Sequence, residues 1–252
     1  MQGYTDLLIQ RLSEAKDDYV DICTYLNWTT FDIISDLVFG RPFGCLQDQK
    51  THIYVSTLLK SVKSIQLFYI KNYLSWLTPF TRFFMSDVNL DDFAMMTKYA
   101  TTETEKRMAM ETQRPDFMTA IMKHNTASVD QGGITKDEIC SNVRLLLIAG
   151  TETTATTLSA TVFYLLKNPT CLEKLKAEVR GAFQSSEEIT IDAVTRLEYM
   201  TAVLHEALRL LPPVPIGAAR KVPDCGAVVS GTFIPGMVSP DLSALNVPLF
   251  HP

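Results

Sequence analysis

The chain has 252 residues, 46% of them hydrophobic and 20% charged, with 23 basic and 28 acidic side chains and a formal net charge of -5. That balance describes an ordered globular protein able to bury a sizeable core as one large domain or two small ones, and with no basic footprint it excludes nucleic acid as a partner. The five cysteines, Cys23, Cys45, Cys140, Cys171 and Cys225, show neither C-x-x-C nor zinc-type spacing and read as reduced thiols of an intracellular protein.

Met1 to Asp6 carry no charged segment followed by an apolar core, so no signal peptide is expected. No apolar run approaches the roughly 18 residues of a membrane span. Tyr4, Leu7, Leu8, Arg11 and Leu12 recur at helical spacing, so the chain opens inside a helix. Asp21 to Phe39 predicts a second helix stopped by Gly40, with Arg41-Pro42-Phe43-Gly44 as the turn after it. Thr51 to Leu77 reads as two helices. Within it and beyond, Ile65 to Phe84 is rich in aromatic and aliphatic residues but broken by Lys71, Asn72, Pro79 and Arg82, as in a partly exposed hydrophobic segment. Asn89 to Arg107 is a long helix with charges on one side. Arg114-Pro115-Asp116-Phe117 starts a short one ending near His124, and Asn125 to Gly133 is a surface loop.

Ile134 to Pro169 dominates the pattern. Thr135 with Glu138 reads as a capping box, and an apolar course runs on to Asn168-Pro169. At about 1.5 Å per residue such a helix is roughly 45 to 50 Å long and can cross a whole domain. Leu145 to Gly150 is apolar nearly all round, as in a helix buried in a core. Thr151-Glu152-Thr153-Thr154-Ala155-Thr156-Thr157 follows, and a carboxylate there costs stability unless it is hydrogen-bonded. Two readings are open: a core helix whose threonines bond back to the preceding turn, or a helix deformed beside a ligand, presenting it with an acid and an alcohol.

Beyond Pro169, Leu172, Leu175, Val179 and Phe183 mark the inward face of an amphipathic helix. Ser185 to Ile191 is a loop, Asp192 caps a short helix, and Met200 to Leu211 forms a helix ended by Pro212-Pro213. From Val214 the texture turns to short strands and turns, with Val228-Val229 and Phe233-Ile234 as the β candidates. The fold class is therefore mainly α with a small β element near the C-terminus.

Glu206 and Arg209 share a helix face and can pair, by themselves no more than a surface ion pair. His205-Glu206 has Arg209 where a zinc protease would place its second histidine, and no metal cluster is indicated. No Gly-rich phosphate loop or G-x-S-x-G elbow is present.

Three stretches taken together do point to a family. Ala149-Gly150-Thr151-Glu152-Thr153-Thr154 on a long helix, Glu206-Ala207-Leu208-Arg209 further on, and Pro212-Pro213-Val214-Pro215 followed by Arg220 resemble the cytochrome P450 heme-thiolate monooxygenases. Trp28 to Gly40 is similar to the corresponding helix in fungal members, many of them in secondary metabolism, and the likeness runs from Gln2 to the end. The resemblance implies a central fragment of the P450 fold, one partial domain over residues 1–252, from a protein that hydroxylates a lipophilic secondary metabolite. Its cofactor would be heme, with electrons from NADPH through NADPH-cytochrome P450 reductase. It implies that Glu152 and Thr153 organise water and deliver protons during oxygen activation, and that Ala149 and Gly150 leave room for the oxygen. It also implies that Glu206 and Arg209 form a buried structural ion pair and that Arg220 contacts a heme propionate. Leu58 to Phe84 would belong to the access region of an apolar small-molecule substrate.

The departures carry expectations of their own. The family's cysteine ligand sits in Phe-x-x-Gly-x-x-x-Cys-x-Gly, and none of the five cysteines has that context, so no metal ligand is assigned. Without the thiolate, the electron push that favours oxygen cleavage is lost. The expectation is of a chain truncated at both ends, without the family's endoplasmic reticulum membrane anchor, not stably binding heme and inactive alone. Alternatives are one piece of a split or misannotated gene, or a heme-free helical remnant that acts by binding. Met237-Val238-Ser239-Pro240 in place of the expected strand hints at an altered reading frame or splice.

Overall fold

In a computed structural model of the chain, the residues described are 1–15, 19–57, 90–110, 112, 114–125, 133–215, 222–229 and 231–236, without the side chains of 90–93. The two helices read within Thr51 to Leu77, beyond residue 57, the Ile65 to Phe84 segment, most of the Asn125 to Gly133 loop, Arg220 and Met237 to Pro240 lie outside them. Two compact units result, Met1–Phe163 and Tyr164–Pro252.

The first unit is built on α1 (Gln2–Glu14), α2 (Ile22–Phe39), α3 (Cys45–Asp48), α4 (Leu90–Met108), α5 (Phe117–His124) and most of α6 (Lys136–Lys167). Local chemistry sets the ends. Asp21 accepts the N–H groups of Cys23 at 3.0 Å and Thr24 at 3.4 Å, capping α2. Gly40 ends α2 in the left-handed region at φ 73, where a side chain would be strained. Thr135 and Glu138 close the capping box reciprocally: the Thr135 N–H donates to Glu138 Oε2 at 2.7 Å, and the Glu138 N–H to Thr135 Oγ1 at 3.1 Å.

α2 is the centre of this unit. Phe31, Ile34, Val38 and Phe39 pack with Met96 and Ala100 of α4, Met118 of α5 and Ile139, Val143 and Leu147 of α6. Fully burying side chains of this size contributes about 1.5–3 kcal/mol each. The same helix carries a buried acid, Asp32, which accepts the N–H groups of Cys45 at 3.0 Å and Leu46 at 2.9 Å and so starts α3. Burial raises the Asp32 carboxyl, although those N–H groups act to lower it.

A second buried acid serves two elements. Asp116 caps α5 by accepting the Thr119 N–H at 2.8 Å and receives Arg107 of α4 through Nε at 3.1 Å and Nη2 at 2.9 Å. Arg107 also donates to Thr119 Oγ1 at 2.7 Å. Arg114 reaches the Gly40 carbonyl at 3.0 Å and Asp36 of α2, tying the end of α2 to the start of α5. Arg107 is 1% exposed, so every donor it carries here must be matched. Burial alone would raise Asp116, but the Thr119 N–H and the Arg107 guanidinium outweigh it and hold the carboxyl below its usual range.

The second unit contains the last turn of α6, then α7 (Pro169–Ala182), a 3-10 turn (Ser186–Glu188), α8 (Ile191–Val194), α9 (Glu198–Leu210), β1 (Ala227–Val229) and β2 (Thr232–Ile234). Thr190 caps α8 by accepting the Ala193 N–H at 3.3 Å, a correction to the expected Asp192, which lies inside the first turn. α9 is capped from a distance: the Glu178 carboxylate of α7 accepts the N–H groups of Tyr199 and Met200, each at 2.8 Å. The strands pair antiparallel with Val228 opposite Phe233, and Gly231 sits in the turn at φ 80. Among the described residues of this unit only Leu197, Ala207 and Val222 are buried hydrophobics. The inward face expected of α7 is half-buried rather than buried: Leu172, Leu175, Val179 and Phe183 are each partly covered. No helix among the described residues is long and apolar enough to cross a membrane.

Candidate active site

α6 places the predicted acid and alcohol. The helix is continuous from Lys136 to Lys167, so no break interrupts it at Gly150. Four of its threonines bond back to the preceding turn: Thr151 Oγ1 donates to the Leu147 carbonyl at 2.8 Å, Thr153 to Ala149 at 2.6 Å, Thr157 to Thr153 at 2.8 Å and Thr161 to Thr157 at 2.7 Å. The core-helix reading is thereby realised for the hydroxyls, and their protons are committed.

The carboxylate is another matter. Glu152 is half-buried, and its Oε1 is buried without a hydrogen-bond partner. Burial raises its pKa, with no neighbouring charge opposing it. At about 100° per residue, Leu145, Ala149, Glu152, Thr153 and Thr156 gather on the side of α6 away from Leu147. Leu147 is fully buried, whereas Leu145 is 62% exposed and Ala149 is exposed. This corrects the expectation of a helix buried all round: the apolar run is solvent-facing on one side because α2 covers only the other.

Ala149 and Gly150 part company here. Ala149 lies on the open face, but a Cβ built on Gly150 would stand 2.8 Å from Ile34 Cδ1 and 3.0 Å from Ile34 Cγ1. The missing side chain therefore faces α2 rather than the open side. Ile34 reads in sequence as one core residue among many, and its partnership with Gly150 carries no local signal.

In the second unit Glu206 and Arg209 do meet, Nε donating at 2.7 Å to one carboxylate oxygen and Nη2 at 2.7 Å to the other. The pair is not buried, however, with side chains 54% and 68% exposed. Both stand on the outward face of α9, opposite the buried Ala207. Arg220, expected at a heme propionate, lies outside the described residues. Cys45 and Cys140 are buried and Cys23, Cys171 and Cys225 exposed; burial drives the Cys45 thiol up to about 11. Among the described residues no group of three or more His, Cys, Asp or Glu is arranged to hold a metal ion.

Comparison with known proteins gives this arrangement its family. The family model for Cytochrome P450 matches residues 1–237. The chain is 45% identical over 240 residues to the cytochrome P450 monooxygenase traB of Penicillium crustosum, covering 93% of this chain and 47% of that protein. It is 37% identical to an averantin hydroxylase of Dothistroma septosporum, over 93% of this chain and 44% of the relative. To a trichothecene C-15 hydroxylase of Fusarium sporotrichioides it is 36% identical, over 97% of this chain and 51% of the relative. The crystal structure of the cytochrome P450DA heme domain superposes with a TM-score of 0.70 over 93% of this chain and 48% of that one, at 22% identity, a likeness of fold. The chain belongs to the cytochrome P450 family, and it spans about half the length of the curated relatives it matches.

Proposed function

We propose that this chain is the oxygen-side portion of a fungal cytochrome P450 monooxygenase that hydroxylates an apolar secondary metabolite. The observation that carries the reading is the orphaned Glu152 carboxylate oxygen beside Thr153, on the side of α6 away from the core formed by the described residues. A half-buried carboxylate with one buried oxygen that no donor meets is destabilising by itself, so its presence argues for a task. Hydroxylation is supported by the names of two relatives, an averantin hydroxylase and a trichothecene C-15 hydroxylase.

Those residues fit one side of a heme and leave its other side unsupplied. Ala149, with only a methyl group on the open face, would lie along the oxygen side with Thr153, and Arg220 would meet a propionate. No cysteine of the chain stands in the ligand motif, so we infer that these 252 residues alone do not hold a thiolate-ligated heme. Heme, when bound, supplies the activation of dioxygen, with electrons from NADPH through a reductase at the endoplasmic reticulum.

The chain's own part is to hold and move a proton. Glu152, raised by its burial, keeps a proton closer to neutral pH than an ordinary carboxyl, the condition for handing it on. Thr153 spends its own proton on Ala149, which leaves its oxygen free to accept from a water and fix where that water stands.

The test has two parts. The purified chain, given hemin, reduced and treated with carbon monoxide, is expected to lack the Soret band of a thiolate-ligated heme; such a band would refute the ligand inference. Grafted in place of the matching residues of an active relative such as traB, the chain should support that band. In the graft, Glu152→Gln and Thr153→Ala should each slow product formation by on the order of a hundredfold. Unchanged rates would refute the roles given to Glu152 and Thr153.

A further inference from the structure

We infer that Ile34 of α2 is the positioning residue for the candidate site, and that Gly150 is a packing notch for it rather than space left for a ligand. This rests on the site being the Ala149–Thr153 face of α6. Ile34 is 7% exposed, at the centre of the first unit's core. Its Cδ1 lies 2.8 Å from where a Gly150 Cβ would be and its Cγ1 3.0 Å away, closer than carbon atoms pack. A methyl group at position 150 must therefore move Ile34 or move the helix.

Ile34 can give way only in part: Cδ1 can turn about χ2, but Cγ1, at 3.0 Å, moves only with χ1, which is stiff in a β-branched side chain. α2 is also fixed around it by the Asp32 bonds to Cys45 and Leu46. On α6, Leu147, most of a turn before the notch, and Thr151, the residue directly after it, are each 0% exposed, so the helix is gripped on that side. Ala149, Glu152 and Thr153 are carried on the same rigid turn. The depth to which Ile34 sits in the notch thus sets how far that turn stands from α2, and with it where the Thr153 hydroxyl and Glu152 carboxyl are held. The glycine costs helix stability, and the close approach is what it permits.

Ordinary helix propensity makes the opposite prediction. By propensity alone Gly150→Ala would stabilise α6 wherever it is made. On the present inference it lowers the thermal unfolding midpoint of the full 252-residue chain. In an Ile34→Ala background, which removes both Cδ1 and Cγ1, the same change raises the midpoint; in an Ile34→Val background, which removes Cδ1 and leaves Cγ1, it lowers the midpoint less than with Ile34 present. If Ile34→Ala does not fold, the smaller loss in Ile34→Val still decides the matter.

Amide hydrogen exchange supplies the local readout. Gly150→Ala should speed exchange at residues 149–153 beyond the change in amides of α4 and α5, and Ile34→Val should lessen it. A midpoint raised or unmoved by Gly150→Ala with Ile34 present, or lowered equally with Ile34 and in the Ile34→Val background, overturns the inference. So does exchange that changes uniformly through the unit. None of these readouts uses heme or turnover, so their failure leaves the monooxygenase reading standing, and failure of the graft leaves the notch standing.

Discussion

Two arginine–carboxylate pairs with nearly the same geometry sit in opposite surroundings. Arg107 and Asp116, 1% and 0% exposed at the side chain, meet in the interior of the first unit. Arg209 and Glu206, 68% and 54% exposed, meet on the outside of the second. Both are bidentate, so hydrogen-bond geometry does not separate them; water does. The interior pair has exchanged its hydration for Thr119, the α5 N-terminus and one another, and neither partner can be removed without stranding the other. The exterior pair keeps its solvent and is screened by it. The units differ in the same way: the first closes a core around α2, while the second buries three hydrophobic side chains among its described residues. Distance and geometry alone would have ranked the two pairs alike.

The largest effect that would break this contrast is loss of one interior partner. Asp116→Ala should destabilise the chain by about 3–5 kcal/mol, because it leaves a buried guanidinium unpaired and uncaps α5. Urea unfolding measures this, and a loss under about 1 kcal/mol would mean that water reaches Arg107.

Acid should act on the same group more gently. Asp116 and Glu103 are both held below the usual carboxylate range. Burial opposes this in each, and it is outweighed by Thr119 and Arg107 for the first, and by Lys106 and Arg41 for the second. Carboxylates lowered by folding contribute stability that is whole above the unfolded pKa of about 4 and is lost as pH falls through the folded value. Asp32 is raised by its burial and runs the other way, gaining stability as pH falls from its raised value toward about 4. The unfolding midpoint should therefore hold or rise slightly down to about pH 4 and fall below it, and Asp116→Asn should flatten the lower limb. A midpoint that declines steadily from neutrality would contradict these assignments.

The smallest effect sharpens the comparison from the other side. Glu206→Ala should leave the unfolding midpoint of this chain unchanged within error, since both side chains are already solvated. A clear loss would mean that α9 is covered in solution.

The elements were legible where a cap or a stop is written locally. Asp21, Gly40, the Thr135 and Glu138 pair and Asp116 each bracket a helix within a residue or two of where it lies, because a cap needs only its own turn. What escaped was whatever depends on a distant neighbour. Arg107 ends a helix that reads as surface-charged and Asp116 follows a proline; nothing in either stretch says that they close on one another in the interior. Ile34 and Gly150 are far apart in the chain, and the notch exists only where their helices cross. The acid and alcohol of the site were readable as a motif, but their setting was not. Leu145 is as apolar as Leu147, and only the position of α2 makes one open and the other buried.

The bonds from Asp32 to Cys45 and Leu46 have a kinetic meaning as well. They span 13 and 14 residues, a short loop whose closure costs about 2 kcal/mol less than joining α2 to α6. The corner made by α2 and α3 can thus assemble before the long-range contacts and offer them a preformed surface, and Asp32→Asn is expected to slow refolding of this unit as well as weaken it.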